Sequence, residues 1–461
     1  MTAAPSLPRT LPGMADLAGT RATVMGLGRF GGGVGVTRWL ASRGADILVT
    51  DTAPEDELRT SVESIRDLVD SGAVTLRLGG HNVADFTTCD LVVASPAVPH
   101  PWDNRFLRAA DAAGIPITTE IGLLVERLPV RERTIGVTGS VGKSTTAAMI
   151  AHALRATGHP VLLGGNIGGS LLEDIPSLSV DTWIVLELSS FMLHWLDRAR
   201  WSPHIAVVTN IAPNHLDWHL DAAHYEQSKQ VILRHQRPGD AAVLGPGVEH
   251  WRSLTPASIV APPRREFSAL RVPGAHNIQN AATALAVCAA AVPSSSPDRL
   301  AEALQTFPGL VHRLQLVAER PLRAGEAPAR FYNDSKSTTP ESTLRAIDAL
   351  ASMPGVDSSR IHLIAGGYDK GSDLSPISRV APSLAGLYAI GATGPAIIAA
   401  AESNLCSLHA TLDAAFSAAV NRMRPGDVLL LSPGCASWDQ YSNYEERGEH
   451  FIRLVHERVG L

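Results

Sequence analysis

Short apolar runs alternate with amphipathic stretches along the first part of the chain. The runs at Ala22–Gly26, Asp46–Asp51 and Leu91–Ser95 are typical of buried strands, and the stretch Val34–Arg43 between the first two is typical of a helix. Strands and helices that alternate in this way form a parallel sheet with helices on its faces. The pattern therefore predicts a small parallel α/β domain at the start of the chain.

The same alternation restarts twice. The next apolar runs predict strands at Trp183–Leu188, Ile205–Asn210 and Ala241–Gly245, followed by an Ala-rich helix at Asn277–Ala291 and a Ser/Pro linker at Pro293–Pro297. Beyond residue 310, predicted strands and helices alternate again, with strands at Phe331–Asn333, Ile361–Gly366, Leu387–Gly391 and Val428–Ser432 and helices at Thr339–Leu350 and Ala414–Met423. We therefore predict an α/β protein of three domains, with boundaries at 1–118, 119–308 and 309–461.

A glycine-rich turn lies at the start of the middle region, where a β-branched strand from Thr134 runs into Gly142-Lys143-Ser144-Thr145. In a phosphate-binding loop, backbone N–H groups surround the phosphate oxygens, the lysine adds a positive charge, and the hydroxyl at the helix start reaches Mg²⁺. An apolar helix face follows directly, formed by Ala147, Ile150, Ala151 and Leu154. The order of strand, loop and helix predicts a central P-loop ATPase domain that binds ATP.

The spacing of this loop is not the strict one. Five residues separate Gly136 from Gly142 where the motif has four, and Val137 stands where a glycine would be expected. A chance Gly-Lys-Ser turn is therefore the alternative interpretation.

A second glycine-rich turn follows the first predicted strand. Gly26, Gly28 and Gly31 have G-x-G-x-x-G spacing, and Asp51 ends the second strand, as in the dinucleotide-binding fingerprint of a Rossmann-like domain. The motif alone is weak, and a tight turn without a ligand is the alternative. Two nucleotide-type loops in one chain indicate two phosphate ligands, so we expect this one to bind the diphosphate of a nucleotide-linked substrate.

Composition narrows the class of protein. The net charge of −6 argues against a nucleic-acid partner. The N-terminal stretch Met1–Gly13 lacks the pattern of a signal peptide, and apolar runs such as Ala281–Val292 are shorter than the roughly 18 residues that span a bilayer. The four cysteines form no Cys-x-x-Cys pair. We expect a cytoplasmic protein with reduced thiols and no membrane partner.

Polar residues follow several of the predicted strands. Glu187 ends one strand and His215 follows the next, at the edge where parallel sheets place ligand chemistry, so Glu187 is a Mg²⁺ candidate and His215 a less obvious one. A helix-capping acid and a surface histidine are the alternatives. In the last region, polar residues in the segments 331–338, 366–371 and 432–437 also follow strands, which predicts a substrate cleft, with ordinary turns as the alternative. Lys229 lies in the predicted helix Tyr225–Ile232, and its composition predicts a solvent-exposed lysine.

Together, these elements resemble the Mur ligase family of peptidoglycan synthesis, and within it the ligase that adds glutamate to UDP-N-acetylmuramoyl-L-alanine. The resemblance spans most of the chain and follows the order of the family's motifs. The matching segments are Gly136–Thr145, Gly165–Gly168, Glu187–Phe191, Asn214–Asp217, Tyr225–Lys229, Gly274–Asn280, Leu310–Arg313, Asn333–Lys336 and Ser432–Gly448. The family fold implied is an N-terminal Rossmann-like UDP-binding domain, a central ATPase domain and a C-terminal Rossmann-like domain that binds the amino acid.

The resemblance also implies roles for single residues. Two Mg²⁺ ions would be held by Ser144, Glu187, His215 and a carbamylated Lys229. The implied catalytic residues are Lys143, His215, Lys229 and Lys336. The ATP-binding residues would be Gly139, Ser140, Gly142, Lys143, Ser144, Thr145, Asn280, Arg313 and Asp334. The residues for the UDP-linked substrate and the amino acid would be Gly28, Asp51, Thr52, Ser95, Asn166, Ser189, Thr338, Lys370, Ser437 and Tyr444.

The implied reaction has two steps, in which the substrate carboxylate attacks the γ-phosphate of ATP and the amine of D-glutamate then displaces phosphate from the acyl phosphate. A monomer is expected. Some residues depart from the family pattern: Val141 replaces an asparagine, Gly434 an alanine, and Trp438, Tyr441 and Tyr444 replace leucine or phenylalanine.

Several alternatives stay open at this point. They are an L-glutamate-adding variant of the same ligase, a folylpolyglutamate synthetase-like ligase, a nucleotide-binding protein without catalysis, and a nicotinamide dehydrogenase based on the turn from Gly26 to Gly31.

Overall fold

A computed structural model of the protein describes residues 17–28, 32–265, 267, 270–323, 325–369 and 371–459. The chain packs as two compact units. The first comprises Met1–Arg264 with Ala282–Leu300, and the second comprises Arg265–Ala281 with Ala301–Leu461.

The first unit contains two sheets. The strands of the first sheet are β1 (Arg21–Met25), β2 (Asp46–Thr50), β3 (Val74–Arg77), β4 (Leu91–Ala94) and β5 (Ile117–Thr118). They are all parallel, in the order β3-β2-β1-β4-β5. The helices of this part are α1 (Gly32–Ser42), α2 (Arg59–Glu63), α3 (Arg66–Asp70), α4 (Val83–Thr87), α5 (Arg105–Ala112) and α6 (Glu120–Val125).

The strands of the second sheet are β6 (Thr134–Thr138), β7 (Val161–Gly165), β8 (Trp183–Glu187), β9 (Ile205–Val208), β10 (Ala241–Leu244) and β11 (Ser258–Ile259). This sheet is also parallel, in the order β11-β10-β9-β6-β8-β7. The helices that follow in this unit are α7 (Lys143–Ala156), α8 (Ser190–Arg198) and α9 (Ala222–Arg234). The next two helices, α10 (Ala275–Ala291) and α11 (Pro297–Gln305), each have residues in both units. Every residue of β6, β8 and β9 is buried, as expected of central strands covered on both faces.

One apolar core runs through both sheets of the first unit. It includes Leu27 and Val36 from the first sheet region and Leu186 and Val208 from the second. The carboxyl ends of β8, β6 and β9 are adjacent in the second sheet, so residues that follow these three strands meet at one edge.

The second unit contains the third sheet. Its strands are β12 (Gln315–Arg320), β13 (Ala329–Asn333), β14 (Ile361–Gly366), β15 (Gly386–Ile390), β16 (Cys406–Leu408) and β17 (Val428–Leu431). The order is β12-β13-β17-β14-β15-β16, with β12 antiparallel to β13 and the other pairs parallel. The helices are α12 (Pro340–Ala351), α13 (Ser375–Val380), α14 (Gly394–Ala399), α15 (Leu412–Arg422) and α16 (Tyr444–Val459).

The predicted α/β class with three sheets is confirmed. The strands that the apolar pattern missed are β3, β5, β7, β11, β12 and β16, which are the two edge strands of each sheet. An edge strand has a neighbour on one side only and is partly exposed, so its apolar run is short or interrupted. The buried part of β12, for example, is confined to Ala318. Within the described part of the chain, no helix is long and apolar enough to cross a membrane.

Candidate active site

The glycine-rich turn at residues 139–142 joins β6 to α7. Gly139 has a φ of 143° and Gly142 a φ of 84°, conformations that favour glycine. A Cβ atom at Gly139 would overlap Oγ1 of Thr209, so the turn packs closely against the end of β9. The turn leads into the N-terminus of α7, where N–H groups and the positive end of the helix dipole attract anions.

The predicted phosphate-binding residues are gathered in this turn. Lys143, Ser144 and Thr145 form the first turn of α7 and are half-buried. The Lys143 amine donates a hydrogen bond to the carbonyl of Ser140 at 3.1 Å, so it lies folded over the loop. Gly139 and Gly142 complete the set, which has the shape and charge to hold a polyphosphate.

Lys229 lies against the same turn, although its helical pattern predicted an exposed lysine. Its side chain on α9 is only 2% exposed. The amine donates to the carbonyl of Gly139 at 2.8 Å and to Oγ1 of Thr138 at 3.3 Å, and lies 4.9 Å from the Tyr225 ring centroid. Burial, with the nearby charge of Lys143, lowers the pKa of the Lys229 amine to about 7. The prediction of an exposed lysine is therefore wrong.

Glu187 ends β8 at the same edge and is buried. One carboxylate oxygen, Oε1, accepts a hydrogen bond from the Asn166 side-chain amide at 3.0 Å. The other, Oε2, is buried with no hydrogen-bond partner among the described residues. A buried carboxylate oxygen without a partner is costly, which favours a cation beside it. Ser189, two residues on, caps α8 by accepting from the Met192 N–H at 3.1 Å.

His215 lies in the exposed loop between β9 and α9, with a φ of 54°. Its ring contacts Phe191 at 5.1 Å between centroids. Burial, with the nearby charges of Lys143 and Lys229, lowers the pKa of the imidazole. A lowered pKa favours the neutral ring, which is the form that binds metals.

The structure thus brings Lys143, Glu187, His215 and Lys229 to one edge of the second sheet. In the part of the chain that the structure describes, His, Cys, Asp and Glu side chains form no group of three that could hold a metal. Glu187 and His215 provide two candidate ligands, and the remaining candidates are the hydroxyl of Ser144 and the modified side chain expected at Lys229.

A second set of candidates follows neighbouring strands of the first sheet. Gly28, Asp51 and Ser95 lie just beyond β1, β2 and β4. The Asp51 carboxylate accepts from the Gly28 N–H at 3.1 Å and from the Ala53 N–H at 3.0 Å, so this acid holds the glycine-rich turn in place. Thr52 is exposed beside it. The third glycine of the predicted motif, at position 31, lies outside the described residues.

In the second unit, Asp334 is buried directly after β13. It accepts hydrogen bonds from Oγ of Ser432 at 2.8 Å and from the Leu314 N–H at 3.0 Å, and burial raises the pKa of its carboxyl to about 7. The Lys336 amine lies 5.1 Å from the Tyr444 ring centroid. The structure therefore places these candidates together around the ends of β13 and β17.

The other candidates of the second unit differ in exposure. Thr338 is half-buried and Ser437 is buried, whereas Arg313 is exposed. Asn280 on α10 is buried and donates to the Asn277 side chain at 3.2 Å. Lys370 lies outside the described residues.

Sequence reasoning missed Arg447. On the strongly charged helix α16 it resembles a surface residue, yet its side chain is only 1% exposed. Its guanidinium donates to Oγ and the carbonyl of Ser335, at 3.0 and 2.9 Å, and to the carbonyls of Cys435 and Ala436, at 3.1 and 3.2 Å. Arg447 thus ties the loop after β13 to the loop after β17.

Family models match three parts of this chain. The N-terminal model of MurD-like Mur ligases matches residues 20–119, the Mur ligase middle domain matches residues 137–261, and the Mur ligase glutamate ligase domain matches residues 312–435. Curated relatives match nearly the whole chain. A UDP-N-acetylmuramoylalanine--D-glutamate ligase of Roseiflexus sp. (strain RS-1) is 35% identical, over 95% of this chain and 99% of the relative.

The chain belongs to the Mur ligase family.

Other relatives and solved structures agree with this membership. A ligase of the same name from Koribacter versatilis is 34% identical, over 95% of this chain and 98% of the relative. The solved UDP-N-acetylmuramate-alanine ligase of Thermotoga maritima is 18% identical with a TM-score of 0.54, covering 95% of this chain and 99% of that one. A MurF ligase of Thermotoga maritima in complex with ADP is 16% identical with a TM-score of 0.51, covering 86% and 92%. At these identities, the solved Mur ligases support the fold alone.

The lysine content of this Mur ligase provides a signal for Lys229 that does not depend on the family resemblance. Among 39 basic residues, only Lys143, Lys229, Lys336 and Lys370 are lysines, and all the others are arginines. Arginine can replace lysine where only a charge is needed, but it cannot supply a primary amine or a compact point charge. All four lysines fall at candidate positions, so the restricted use of lysine is a sequence signal for the candidates of each unit.

Proposed function

We propose that this chain catalyses the ATP-dependent addition of D-glutamate to UDP-N-acetylmuramoyl-L-alanine in the synthesis of peptidoglycan precursors. Relatives named for that reaction match about 95% of the chain. The observation that carries the proposal is the buried amine of Lys229 against the carbonyl of Gly139, because it joins the nucleotide loop to a candidate metal site. The reaction would pass through an acyl phosphate, formed when the substrate carboxylate attacks the γ-phosphate.

We further propose that each of the three sheet regions binds a different substrate. Residues 1–118 would bind the UDP-linked substrate, 119–308 would bind ATP, and 309–461 would bind glutamate. The hydrogen bonds from Gly28 and Ala53 to Asp51 support a preformed turn in the first part. The buried Arg447, which joins two loops in the last part, supports a preformed pocket there.

The residues at the edge of the second sheet fit Mg²⁺. The chemistry of the donors is suitable, since a carboxylate and a hydroxyl provide the hard oxygens that Mg²⁺ prefers. The buried, unpartnered Oε2 of Glu187 lies at this edge. Ser144, Glu187, His215 and a carbamylated Lys229 would hold two ions, which would neutralise the phosphate oxygens when bound. Lys143 would add its own positive charge at the transferring phosphoryl group.

Carbamylation of Lys229 is part of the proposal. The neutral amine would attack the carbon of CO₂ and form a C–N bond, as one C–O π bond opens to give a carboxylate oxygen. The nitrogen would then release a proton to solvent. A buried amine whose pKa is about 7 is partly neutral at physiological pH, which supports this reaction. The product would carry a negative charge in place of a positive one and would supply oxygen ligands to the metal.

We also propose that the protein acts as a monomer in the cytoplasm, without a nucleic-acid partner. The net charge of −6 disfavours binding to a polyanion, and Cys89, Cys288, Cys406 and Cys435 are free thiols, as expected in a reducing compartment.

The test is phosphate release by the purified protein with ATP, Mg²⁺ and UDP-N-acetylmuramoyl-L-alanine, comparing D-glutamate, L-glutamate and no amino acid. We expect release with D-glutamate only. Release with L-glutamate instead would assign the chain to a variant ligase, and release with neither amino acid would overturn the proposed function.

A further inference from the structure

The segment that follows β9 lies along the phosphate-binding turn and is hydrogen-bonded to it. The Ser140 N–H donates to the carbonyl of Asn210 at 3.1 Å. In return, Oγ of Ser140 donates to the carbonyl of Ala212 at 2.7 Å and accepts from its N–H at 2.8 Å. The turn is thus paired with a second segment of chain.

The side chain of Asn210 is hydrogen-bonded to both backbone polar groups of Val141. Its Oδ1 accepts from the Val141 N–H at 3.0 Å, and its Nδ2 donates to the Val141 carbonyl at 2.9 Å. One primary amide therefore satisfies the donor and an acceptor site of one residue, as a neighbouring strand would. Oγ1 of Thr209 also donates to that carbonyl, at 2.6 Å.

These bonds fix the tip of the loop before a nucleotide arrives. The N–H groups of Ser140 and Val141 both donate to Asn210, so these two donors are occupied, and we expect the N–H groups of Gly142 and the start of α7 to contact phosphate. The side chain of Val141 is 63% exposed and adds little packing of its own. The amide of Asn210 therefore supplies two of the hydrogen bonds that hold the tip, beside the one from Thr209.

We propose that Asn210 is a positioning residue that sets the shape of the phosphate-binding loop. The inference rests on the ATP site of the proposed function and adds a residue to it. It also connects two parts of the site, because the segment that carries Asn210 continues into the loop of His215. A change at Asn210 alters the loop that receives ATP and the segment that presents the imidazole.

The chain offers a matched control for this position. Asn104 is also an asparagine of the first unit, but the structure uses its side chain as an acceptor. Its Oδ1 accepts from the N–H groups of Phe106 and Leu107 at 3.0 and 3.2 Å. A carboxylate performs that capping role equally well. We therefore expect N104D to be harmless, whereas N210D replaces the donor with an oxygen that faces the Val141 carbonyl.

The experiment is a calorimetric titration of the full-length protein with ADP and with a non-hydrolysable ATP analogue, for wild type, N210D, N210A and N104D. We expect nucleotide Kd to rise about tenfold or more in N210D, which loses one hydrogen bond and gains a repulsion, and to rise less in N210A. N104D should bind as wild type does. The Kd for UDP-N-acetylmuramoyl-L-alanine should not change in any variant.

Two results would overturn the inference: nucleotide binding in N210D equal to that of wild type, or an equal loss of affinity for both substrates, which would indicate general misfolding. N210A decides the question in the same way if N210D does not fold. A wild-type protein that binds no nucleotide would overturn the proposed function together with this inference, so the two failures are distinguishable.

Discussion

The Lys229 amine donates a hydrogen bond to the Gly139 carbonyl at 2.8 Å. The primary amine of Lys229 thus connects helix α9 to the loop that we expect to hold the phosphates of ATP. The amine is buried with the Tyr225 ring beside it, and the Glu187 carboxylate tends to raise its pKa. The proposed carbamylation of Lys229 would therefore reverse a charge inside the candidate site.

Replacement of Lys229 by alanine should abolish most of the activity, because the variant cannot form a carbamate. Added formate, acetate or propionate should restore part of it, since a small carboxylate can occupy the vacated space and supply oxygen ligands. The measurement is phosphate release as a function of carboxylate concentration. Lys143→Ala is the control that should show no rescue, and full activity of unaided Lys229→Ala would contradict carbamylation.

Lys143→Ala should itself lower turnover by at least about a hundredfold, because the positive charge is lost where negative charge develops on the transferring phosphoryl group. Lys143 is half-buried at the start of α7, so the thermal midpoint should change little. Single-turnover phosphate release with all three substrates measures the effect. A variant that keeps more than about a tenth of wild-type turnover would contradict the role that the loop geometry suggests.

His194 should make the protein less stable in acid. Its ring lies on α8 among Trp102, Trp218 and His224, each about 5.4 Å away between centroids. Burial, with the charge of His224, lowers the pKa of His194 to about 4, and Asp197 opposes this shift. Since the unfolded chain takes up the proton near pH 6.5, the stability is present above that pH and is lost as the pH falls toward 4.

We expect His194→Gln to reduce the loss of stability between pH 7 and pH 5 by about 1–2 kcal/mol. Thermal midpoints measured across this pH range test the expectation. His250→Gln is the control, because the side chain of His250 is 68% exposed. Equal pH dependence in wild type and His194→Gln would show that the ring does not carry the effect.

Gly434→Ala should destabilise the second unit. The φ of Gly434 is 66°, and an added Cβ would lie 2.5 Å from Cδ1 of Ile377 and 3.0 Å from Oγ1 of Thr343. Backbone strain and overpacking together should cost about 2–4 kcal/mol. Gly355→Ala is the matched control, since Gly355 has a φ of 75° with nothing within 4 Å of the added Cβ.

Urea unfolding of the two glycine variants should therefore differ by the steric part alone, about 1–3 kcal/mol. Equal destabilisation would mean that the pocket around Ile377 yields to a methyl group. In that case, Gly434 would have no packing reason to be glycine.

The interior of each sheet could be predicted from the sequence, and its edges could not. Strands such as β4 and β9 are covered on both faces, and each appears in the sequence as an unbroken run of apolar residues. Edge strands such as β11 and β16 are held mainly by backbone hydrogen bonds on one side, which leave little trace in side-chain polarity.

The candidate site divides in a similar way. A glycine-rich turn is visible because its backbone conformation demands particular residues, as at Gly142. Burial of a charged side chain is not visible, because Lys229 and Arg447 are enclosed by elements distant in the chain. The role of Asn210 could not be predicted from the sequence for the same reason, since its partner Val141 lies 69 positions away.

Because lysine occurs at only four positions, chemical labelling of primary amines in this protein can be assigned to individual residues. Apart from the amino terminus, a reagent that acylates primary amines would find targets only at candidate site residues. Of these, Lys336 is exposed and Lys229 is enclosed, so the two should react at very different rates. Peptide mapping after brief acylation would therefore report, lysine by lysine, which parts of the site each ligand protects.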